Sequence, residues 1–310
     1  MGNKFFRSIL IVISFLAASV GLASCGSTYT PSYDNLSFVV ISEEEKICEV
    51  TEYKKYYNDE RDNNIYIPKI WNDYKVTSID NAAFQGCTSL SSIVIPDSVT
   101  SIGYGAFLGC SSLSSIVIPN SVTSLGGYVF HNCTSLSSVT IGNGVTSIGD
   151  STFYGCSSLS SIVIPKSVTS LGDDAFNGCT SLSSIVIPDS VTSIGDAAFQ
   201  KCSSLSSVTI GNGVASIGEY AFSFCPSLSS IVIPDSVTSI GHDAFYDCAS
   251  LSSVTIGNGV TSIGESAFQG CTSLSDVYYT GTKVQWNAIS IDFYNDELEY
   301  ATIHYNYVGK

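Results

Sequence analysis

Nine cysteines recur at one fixed spacing, and this row of thiols is the first pattern in the sequence that could do chemistry. Neighbouring thiols can form disulfides or bind a metal, and stacked β-coils would lie about 4.8 Å apart, within the Cα range of a disulfide. In-register side chains point in parallel, however, so the disulfide dihedral is hard to reach, and zinc needs converging ligands. The pattern favours buried thiols, leaves one or two disulfides as the alternative, and predicts no metal site. The row is Cys87, Cys110, Cys133, Cys156, Cys179, Cys202, Cys225, Cys248 and Cys271, and Cys48 is a further cysteine expected to be buried.

A second row places mostly acidic side chains directly after a recurrent glycine. A line of carboxylates could hold divalent cations, although calcium requires about six to eight oxygens around one centre. The reading that the spacing favours is that each carboxylate caps a short helical turn and keeps the surface soluble. The row is Asp150, Asp173, Asp196, Glu219, His242 and Glu265.

No arrangement typical of catalysis accompanies these rows. The histidines His131, His242 and His304 have no serine, cysteine or carboxylate partner at a recognisable spacing. No glycine-rich loop lies between a predicted strand and a helix, where it could hold a phosphate. Because nothing assembles an acid, a base and a pocket, the sequence predicts a non-catalytic protein without a cofactor.

The elements that position both rows belong to a repeat of 23 residues. Phenylalanine recurs at this spacing from Phe84 to Phe268 without an insertion, and a fixed period of this size indicates a solenoid. A unit this short cannot bury its own apolar face and must stack on its neighbours. The fold class predicted is therefore a repeat solenoid, mainly β, with 23-residue coils.

The unit SLSSIVIPDSVTSIGDAAFQKC (residues 181–202) shows how one coil is built. Alternation predicts a strand with Ile185 and Ile187 inward, which ends at a proline that cannot donate to a ladder. The segment SVTSIG predicts a second extended run, and Asp196 is expected to cap a short helical turn carrying Phe199. Some units replace the proline corner with Gly-Asn-Gly, as at residues 142–144, and this reads as an equivalent turn.

The unit IPDSVTSIGDAAFQKCSSL resembles the BspA-type leucine-rich repeat of bacterial surface proteins. The resemblance covers residues 79–278, where nine units agree. It implies a right-handed solenoid with a parallel sheet on one face and a second extended run on the other. It also implies adhesion or recognition at a cell surface.

The first residues are typical of an exported lipoprotein. Residues 1–24 carry Lys4 and Arg7 ahead of an apolar run, which is the pattern of a signal peptide. The run is shorter than the roughly 20 residues that span a bilayer. Leu22-Ala23-Ser24-Cys25 resembles a bacterial lipobox, which predicts lipidation of Cys25 and a tether at residues 25–35. This predicts a lipid-anchored protein of the bacterial cell envelope, placed at the outer membrane and exposed at the surface, that contacts membrane only through its anchor.

Segments of different composition flank the solenoid. Residues 36–78 are read as an N-terminal cap, because bare coil ends would expose apolar surface and strand edges. Residues 279–310 break the period and are rich in aromatic residues. They are read as a C-terminal cap, with Trp286 as a candidate partner contact in the alternative reading.

The outward side chains of the predicted sheet form an uncharged strip on the order of 40 Å long. Such a strip suits weak, multivalent binding of proteins or glycans on host or bacterial surfaces. Surface glycan capture and a structural spacer without a ligand remain the alternatives. A formal charge of −15 argues against a nucleic-acid partner. The candidate face is Ser92, Val94, Ser115, Val117, Ser138, Thr140, Ser161, Val163, Ser184, Val186, Ser207, Thr209, Ser230, Val232, Ser253 and Thr255.

A final pattern concerns modification. Asp-Ser-Val and Asp-Ser-Thr sequences resemble an acceptor motif for O-glycosylation in some Gram-negative anaerobes. Because Val99 is expected to point inward, Ser98 is expected to point outward. The candidate acceptors are Ser98, Ser151, Ser190 and Ser236, and a plain turn is the alternative.

Overall fold

The computed structural model describes residues 35–54 and 63–308. The predicted signal peptide at residues 1–24, Cys25 and all but the last residue of the tether lie outside the described residues. Within the described ranges, no helix combines the length and the apolar character that a membrane span needs.

The chain begins with a hairpin that leads into the first coil. Strands β1 (Leu36–Ser42) and β2 (Ile47–Tyr53) pair antiparallel, and β2 then pairs parallel with β5 (Tyr74–Ile79). Strand β3 (Asn64–Tyr66) starts a separate sheet, and β4 (Ile70–Trp71) folds back on β5. The hairpin therefore covers the edge that the first coil would otherwise expose.

From residue 92 onward, most coils contribute a strand of three or four residues and a strand of two residues. The longer strands form the front side of the solenoid and the shorter ones the back side, and both sets pair parallel between successive coils. The bounds are β6 (Ser92–Val94), β7 (Ser101–Ile102), β8 (Ser115–Ile118), β9 (Ser124–Leu125), β10 (Ser138–Ile141), β11 (Ser147–Ile148), β12 (Ser170–Leu171), β13 (Ser184–Ile187), β14 (Ser193–Ile194), β15 (Ser207–Ile210), β16 (Ser216–Ile217), β17 (Ser230–Ile233), β18 (Ser239–Ile240), β19 (Ser253–Ile256), β20 (Ser262–Ile263) and β21 (Asp276–Tyr279).

The segment after the back strand forms a third hydrogen-bonded side and not the predicted helical turn. Ala197 and Lys201 have φ of 52° and 60°, and the same two positions are left-handed in the other coils. Their amides, with that of Phe199, donate to carbonyls of the next coil at 2.7–2.9 Å. A helix would direct these amides back into their own coil. The left-handed residues instead turn them along the solenoid, and we call this side the turn ladder.

The interior is filled by the same side chains in every coil. Leu182, Ile185, Val191, Phe199 and Cys202 are all at most 2% exposed. Successive phenyl rings of the phenylalanine column lie 5.1–5.5 Å apart and within 16° of parallel. The core is therefore continuous between coils, and no coil could be stable alone.

The front ladder is interrupted before some of the coils that carry proline at the corner. Gly257 donates to the carbonyl of Ile233 at 2.9 Å, which extends the pairing of β17 with β19. Pro234 has no amide to donate to the preceding coil, and β15 and β17 belong to separate sheets. The same holds around residues 161–164, a coil that ends at Pro165 and has no front strand. The predicted equivalence holds for the turn itself, because Val191 donates to the Pro188 carbonyl at 3.0 Å and Val214 to the Gly211 carbonyl at 3.2 Å. The two corners differ only in their pairing with the preceding coil.

The last coil is closed by helices α1 (Lys283–Trp286) and α2 (Asp296–Tyr300) and strands β22 (Ser290–Ile291) and β23 (Thr302–His304). The amide of Phe268 donates to Asn295 Oδ1 at 3.0 Å, and that of Gly270 to Glu297 Oε1 at 2.7 Å. Side chains thus take the place of the carbonyls that a further coil would supply. The donors at this end of the turn ladder are satisfied without another repeat.

Candidate recognition surface

The front sheet presents the predicted strip to solvent. Along β13, Ile185 and Ile187 are buried while Ser184 and Val186 are exposed, as a period of two requires. The outward valines are exposed to between 49% at Val94 and 80% at Val163. Most outward serines and threonines are exposed as well, whereas Ser92, Ser253 and Thr255 are half-buried. We call the Ser and Val/Thr columns from Ser92 to Thr255 the front strip.

Exact register keeps each column straight. Ser184 pairs with Ser207 and Val186 with Thr209, so residues 23 positions apart stand side by side. The same register joins β8 to β10 and β17 to β19. A partner would therefore meet the same uncharged group at every coil, one strand spacing of about 4.8 Å after the last.

Aromatic residues lie at both ends of the front strip, and the sequence did not lead us to predict them. Tyr66 stands beside Val94 at the first end, and Tyr278 stands beside Thr255 at the other. The Tyr278 ring stacks on His304 at 4.7 Å and lies 4.7 Å from the ring of Tyr307. Tyr278 follows Thr255 by one repeat length, so extending the register into residues 276–279 would have identified it.

His304 is fixed at this end of the strip by Asp276. The Nε2 atom of His304 lies 2.7 Å from Asp276 Oδ1. The hydrogen bond from His304 holds the pKa of the Asp276 carboxyl below its usual value, with a further contribution from Ser275. The C-terminal end of the front strip therefore carries the charged group that the strip itself lacks.

Trp286 is not a contact residue. Its side chain is 8% exposed and packs edge-on against Tyr279, with ring centroids 5.2 Å apart. The candidate role in partner contact is wrong, because the indole covers the last coil and is withdrawn from solvent.

Three aspartates of the acidic row hydrogen-bond between coils and do not cap helices. Asp150 Oδ1 accepts the amide of Asp173 at 3.1 Å, and Asp173 Oδ1 accepts that of Asp196 at 2.8 Å. Asp196 in turn accepts from Glu219 at 2.7 Å. The expected capping role is wrong, since the acceptors meet amides one coil ahead. Among the described residues, no group of three or more metal-ligating side chains is placed to hold an ion.

The cysteine column is a row of buried, hydrogen-bonded thiols. The described cysteines from Cys110 to Cys271 are buried thiols and not disulfides. Each donates to the carbonyl of a phenylalanine in the preceding coil, for example Cys202 to Phe176 at 3.2 Å. Burial raises the pKa of the Cys202 thiol to about 12, and a separate hydrogen bond with the backbone of Cys179 opposes this only in part. The column therefore consists of packed donors with little thiolate character.

The candidate glycosylation residues are less accessible than expected. Ser98 is 2% exposed and Ser151 is 4% exposed, so the expectation that Ser98 points outward is wrong. Ser190 and Ser236 are half-buried, and their hydroxyls donate to the carbonyls of Val168 and Val214 at 2.7 Å. Stacking explains the burial of the corner serines, because the corner of each coil lies against the coil before it. Ser151 lies instead on the turn ladder, at the position equivalent to Ala197.

The other two histidines lie on the turn ladder, far along the chain from each other. The His131 ring stacks on Tyr154 at 4.6 Å, and burial lowers the pKa of His131 below its usual value. His242 Nδ1 lies 2.7 Å from the carbonyl of Glu265, and its Nε2 lies 3.2 Å from Asp243. Among the described residues, neither ring is hydrogen-bonded to a serine or cysteine that could serve as a nucleophile.

Parallel ladders on two sides and a leucine-rich apolar core define a β-solenoid of the leucine-rich repeat class. The family model of the BspA type leucine-rich repeat region, in six copies, matches residues 52–183 and 170–299. The chain belongs to this family, and the predicted fold of 23-residue coils is confirmed. Membership suggests a protein-binding or surface-recognition role and a place at the cell surface or envelope, and the family is typically non-catalytic.

Solved structures of bacterial repeat proteins resemble the chain. A leucine-rich repeat protein from Bacteroides ovatus is 27% identical with a TM-score of 0.51, and the match covers 89% of this chain and 79% of that one. A leucine-rich repeat protein from T. pallidum is 24% identical with a TM-score of 0.48, covering 79% and 90%. A leucine-rich cell surface protein from Faecalibacterium prausnitzii is 26% identical with a TM-score of 0.36, covering 87% and 99%. No curated protein matches the chain.

Proposed function

We propose that this protein is a lipid-anchored adhesion and recognition protein of the bacterial surface, which binds extended segments of host or bacterial proteins through the front strip. The observation that carries the proposal is the register of the strip. Ser184, Ser207 and Ser230 repeat one group, and the valines or threonines beside them repeat another. Many weak contacts in register give useful avidity although each alone is small.

The lack of an anchor residue sets the expected strength. Tight interfaces usually rely on buried aromatic or arginine side chains at their centre. The centre of the front strip has none, and its aromatic residues lie at its ends. The proposal is therefore weak binding that grows with the number of coils engaged.

A glycan is the second candidate partner, and one observation favours it. The cluster of Tyr278, His304 and Tyr307 offers aromatic rings next to the carboxylate of Asp276 at the end of the strip. Flat rings beside hydrogen-bonding groups suit an amphipathic ligand. A ligand at this cluster would depend on Tyr278 and not on the central coils.

The test is a binding screen of the purified protein against extracellular-matrix proteins, glycans and bacterial surface material. The variant Val163→Glu/Val186→Glu/Val232→Glu places charges on the front strip at exposed positions. The matched control Thr169→Glu/Thr192→Glu/Thr238→Glu places the same charges at exposed positions beside the back strands.

Binding that the front variant weakens by roughly tenfold or more, and the back variant leaves intact, is the expected result. Equal effects of the two variants would contradict the proposal. Loss of binding only in the variant Tyr278→Ala would place the ligand at the aromatic cluster and favour a glycan as the partner. If the protein binds none of the screened materials, the result would favour the alternative that it is a structural spacer without a ligand.

A further inference from the structure

The turn ladder carries a groove that neither the front strip nor the fold requires. It lies toward the C-terminal end of the solenoid and has a volume of about 480 Å³. Its walls include four aromatic rings and two carboxylates. These six residues are Tyr220, Phe224, Tyr246, Tyr294, Asp243 and Glu265.

The rings of this groove differ in geometry from those of the core. Phe224 and Tyr246 lie 5.4 Å apart at 65°, and Tyr220 and His242 lie 5.7 Å apart at 76°. The phenylalanine column of the core is instead stacked nearly parallel. Tyr220 is 37% exposed and Tyr294 is 62% exposed. Steeply inclined, accessible rings form the walls of a concavity and not a flat platform.

The electrostatics of the groove favour a cation. The carboxylate of Asp243 is only 12% exposed at the side chain, and Glu265 lies on the next coil. The lining residues in the described part of the chain include no lysine or arginine, and the basic group among them is the imidazole of His242, whose Nε2 lies 3.2 Å from Asp243. The protein as a whole carries a formal charge of −15. Aromatic faces and carboxylates both attract a positive charge, and both do so more strongly where water is partly excluded.

The contact between the N-terminal hairpin and β5 shows the same combination of groups together with a lysine. Lys46 Nζ lies 4.7 Å from the centroid of the Tyr74 ring and 3.7 Å from a carboxylate oxygen of Glu43. The Tyr74 hydroxyl donates to the same carboxylate. The groove has the tyrosines and carboxylates of this arrangement, and its lining includes no lysine.

We propose that the groove binds a lysine or arginine side chain presented by a basic segment of a partner protein. The cation would lie among the rings of Tyr220, Phe224 and Tyr246, with Asp243 and Glu265 as counter-charges. This site is separate from the front strip, which is uncharged and lies on another side of the coil. It gives the protein a charge-selective contact in addition to the repeated neutral one.

The experiment measures binding of a fluorescein-labelled peptide of alternating lysine and glycine to the full-length protein by fluorescence anisotropy. Tyr220→Leu and Tyr246→Leu each remove a ring, and Asp243→Asn removes a charge at a left-handed position that asparagine tolerates. Each is expected to weaken binding by roughly threefold to tenfold, in keeping with a partly desolvated cation–π contact. Acetylation of the peptide lysines is expected to abolish binding.

Matched controls lie on the same ladder outside the groove. Tyr104→Leu removes a tyrosine that is 53% exposed, and Asp174→Asn changes the residue equivalent to Asp243 three repeats earlier. Both should leave the affinity unchanged. Circular dichroism melts establish that every variant is folded.

Three results would overturn the proposal. They are equal binding of the acetylated peptide, equal loss in the groove and control variants, and no binding of the lysine peptide at millimolar concentration. Binding of neutral oligosaccharides that Tyr246→Leu abolishes, without binding of the peptide, would assign the groove to a glycan instead.

Discussion

At the residue scale, the repeated polar groups act between coils. The thiol of Cys202 donates to Phe176 in the preceding coil, and the carboxylate of Asp196 accepts from Glu219 in the following one. A buried donor without a partner costs about 1–3 kcal/mol, so the row of buried thiol contacts matters to the stability of the stack, whereas the aspartate contacts are exposed to solvent. These side chains are therefore structural hydrogen-bonding groups and do not form a reactive or metal-binding row.

The thiol column should resist alkylation in the folded protein. With the pKa of Cys202 raised to about 12 by burial, roughly one thiol in ten thousand is ionised at pH 8, and the sulfur is also inaccessible. Iodoacetamide followed by peptide mass mapping should leave Cys202 and Cys156 unmodified in buffer. The same reagent in guanidinium chloride should modify both.

The unfolded sample is the internal control for reagent activity. Rapid modification of Cys202 in the native protein, at a rate close to that of the unfolded chain, would contradict the burial and the raised pKa.

At the element scale, the two kinds of corner have different effects on pairing. A Gly-Asn-Gly corner can approach the preceding coil closely and can donate its first amide, whereas a proline corner cannot donate. A Cβ atom on Gly211 would lie 2.6 Å from backbone atoms of Pro188 and Asp189. Glycine at this corner is therefore required by the neighbouring coil and not only by its own turn.

Gly211→Ala should destabilise the protein. The new methyl group meets backbone, which cannot move without displacing a whole coil, and overpacking of this kind costs about 1–3 kcal/mol. The free energy of unfolding, measured by urea titration, is expected to fall by this amount.

Gly149→Ala is the matched control, because its Cβ would meet its nearest neighbours at 3.4 Å. It is expected to change the free energy of unfolding by less than about 1 kcal/mol. An equal loss in both variants would show that the close approach at Gly211 is not the cause.

At the scale of the whole molecule, stability is distributed along one dimension. Each coil contacts mainly its neighbours, so the two ends can lose structure separately from the centre. The hairpin strand β1 is only partly buried, whereas the C-terminal cap buries Trp286, Leu298 and Tyr279. The N-terminal end is therefore the less stable of the two.

The two tryptophans of the chain report on these ends separately. Trp71 stacks on Phe38 at 4.8 Å in the N-terminal segment, and Trp286 lies in the C-terminal cap. In the single-tryptophan variants Trp286→Phe and Trp71→Phe, fluorescence should show the Trp71 transition at the lower urea concentration. Far-ultraviolet circular dichroism, recorded on the same samples, follows the whole solenoid. Coincident transitions by all three signals would mean that the molecule unfolds as one cooperative unit.

Much of the fold could be predicted because the constant period of the repeat fixes which residues align between neighbouring coils. The inward residues Ile185, Val191 and Phe199 follow from alternation and from a period without insertions. The family resemblance and the exposed columns of the front strip follow from the same spacing. Tyr278 was predictable in principle by the same count, although it lies just beyond the regular units.

The sequence by itself determined the period, the inward and outward faces and the class of fold, because these depend on side-chain polarity at fixed spacing. Only the tertiary structure decided what the polar and glycine residues contact. Asp196 bonds to the next coil, Ser98 is buried at a corner, and Trp286 covers the last coil. It also brought Tyr220, Asp243 and Glu265 together in one groove. These outcomes depend on atoms one coil away, and their positions are set by how closely the coils stack and which way each amide turns.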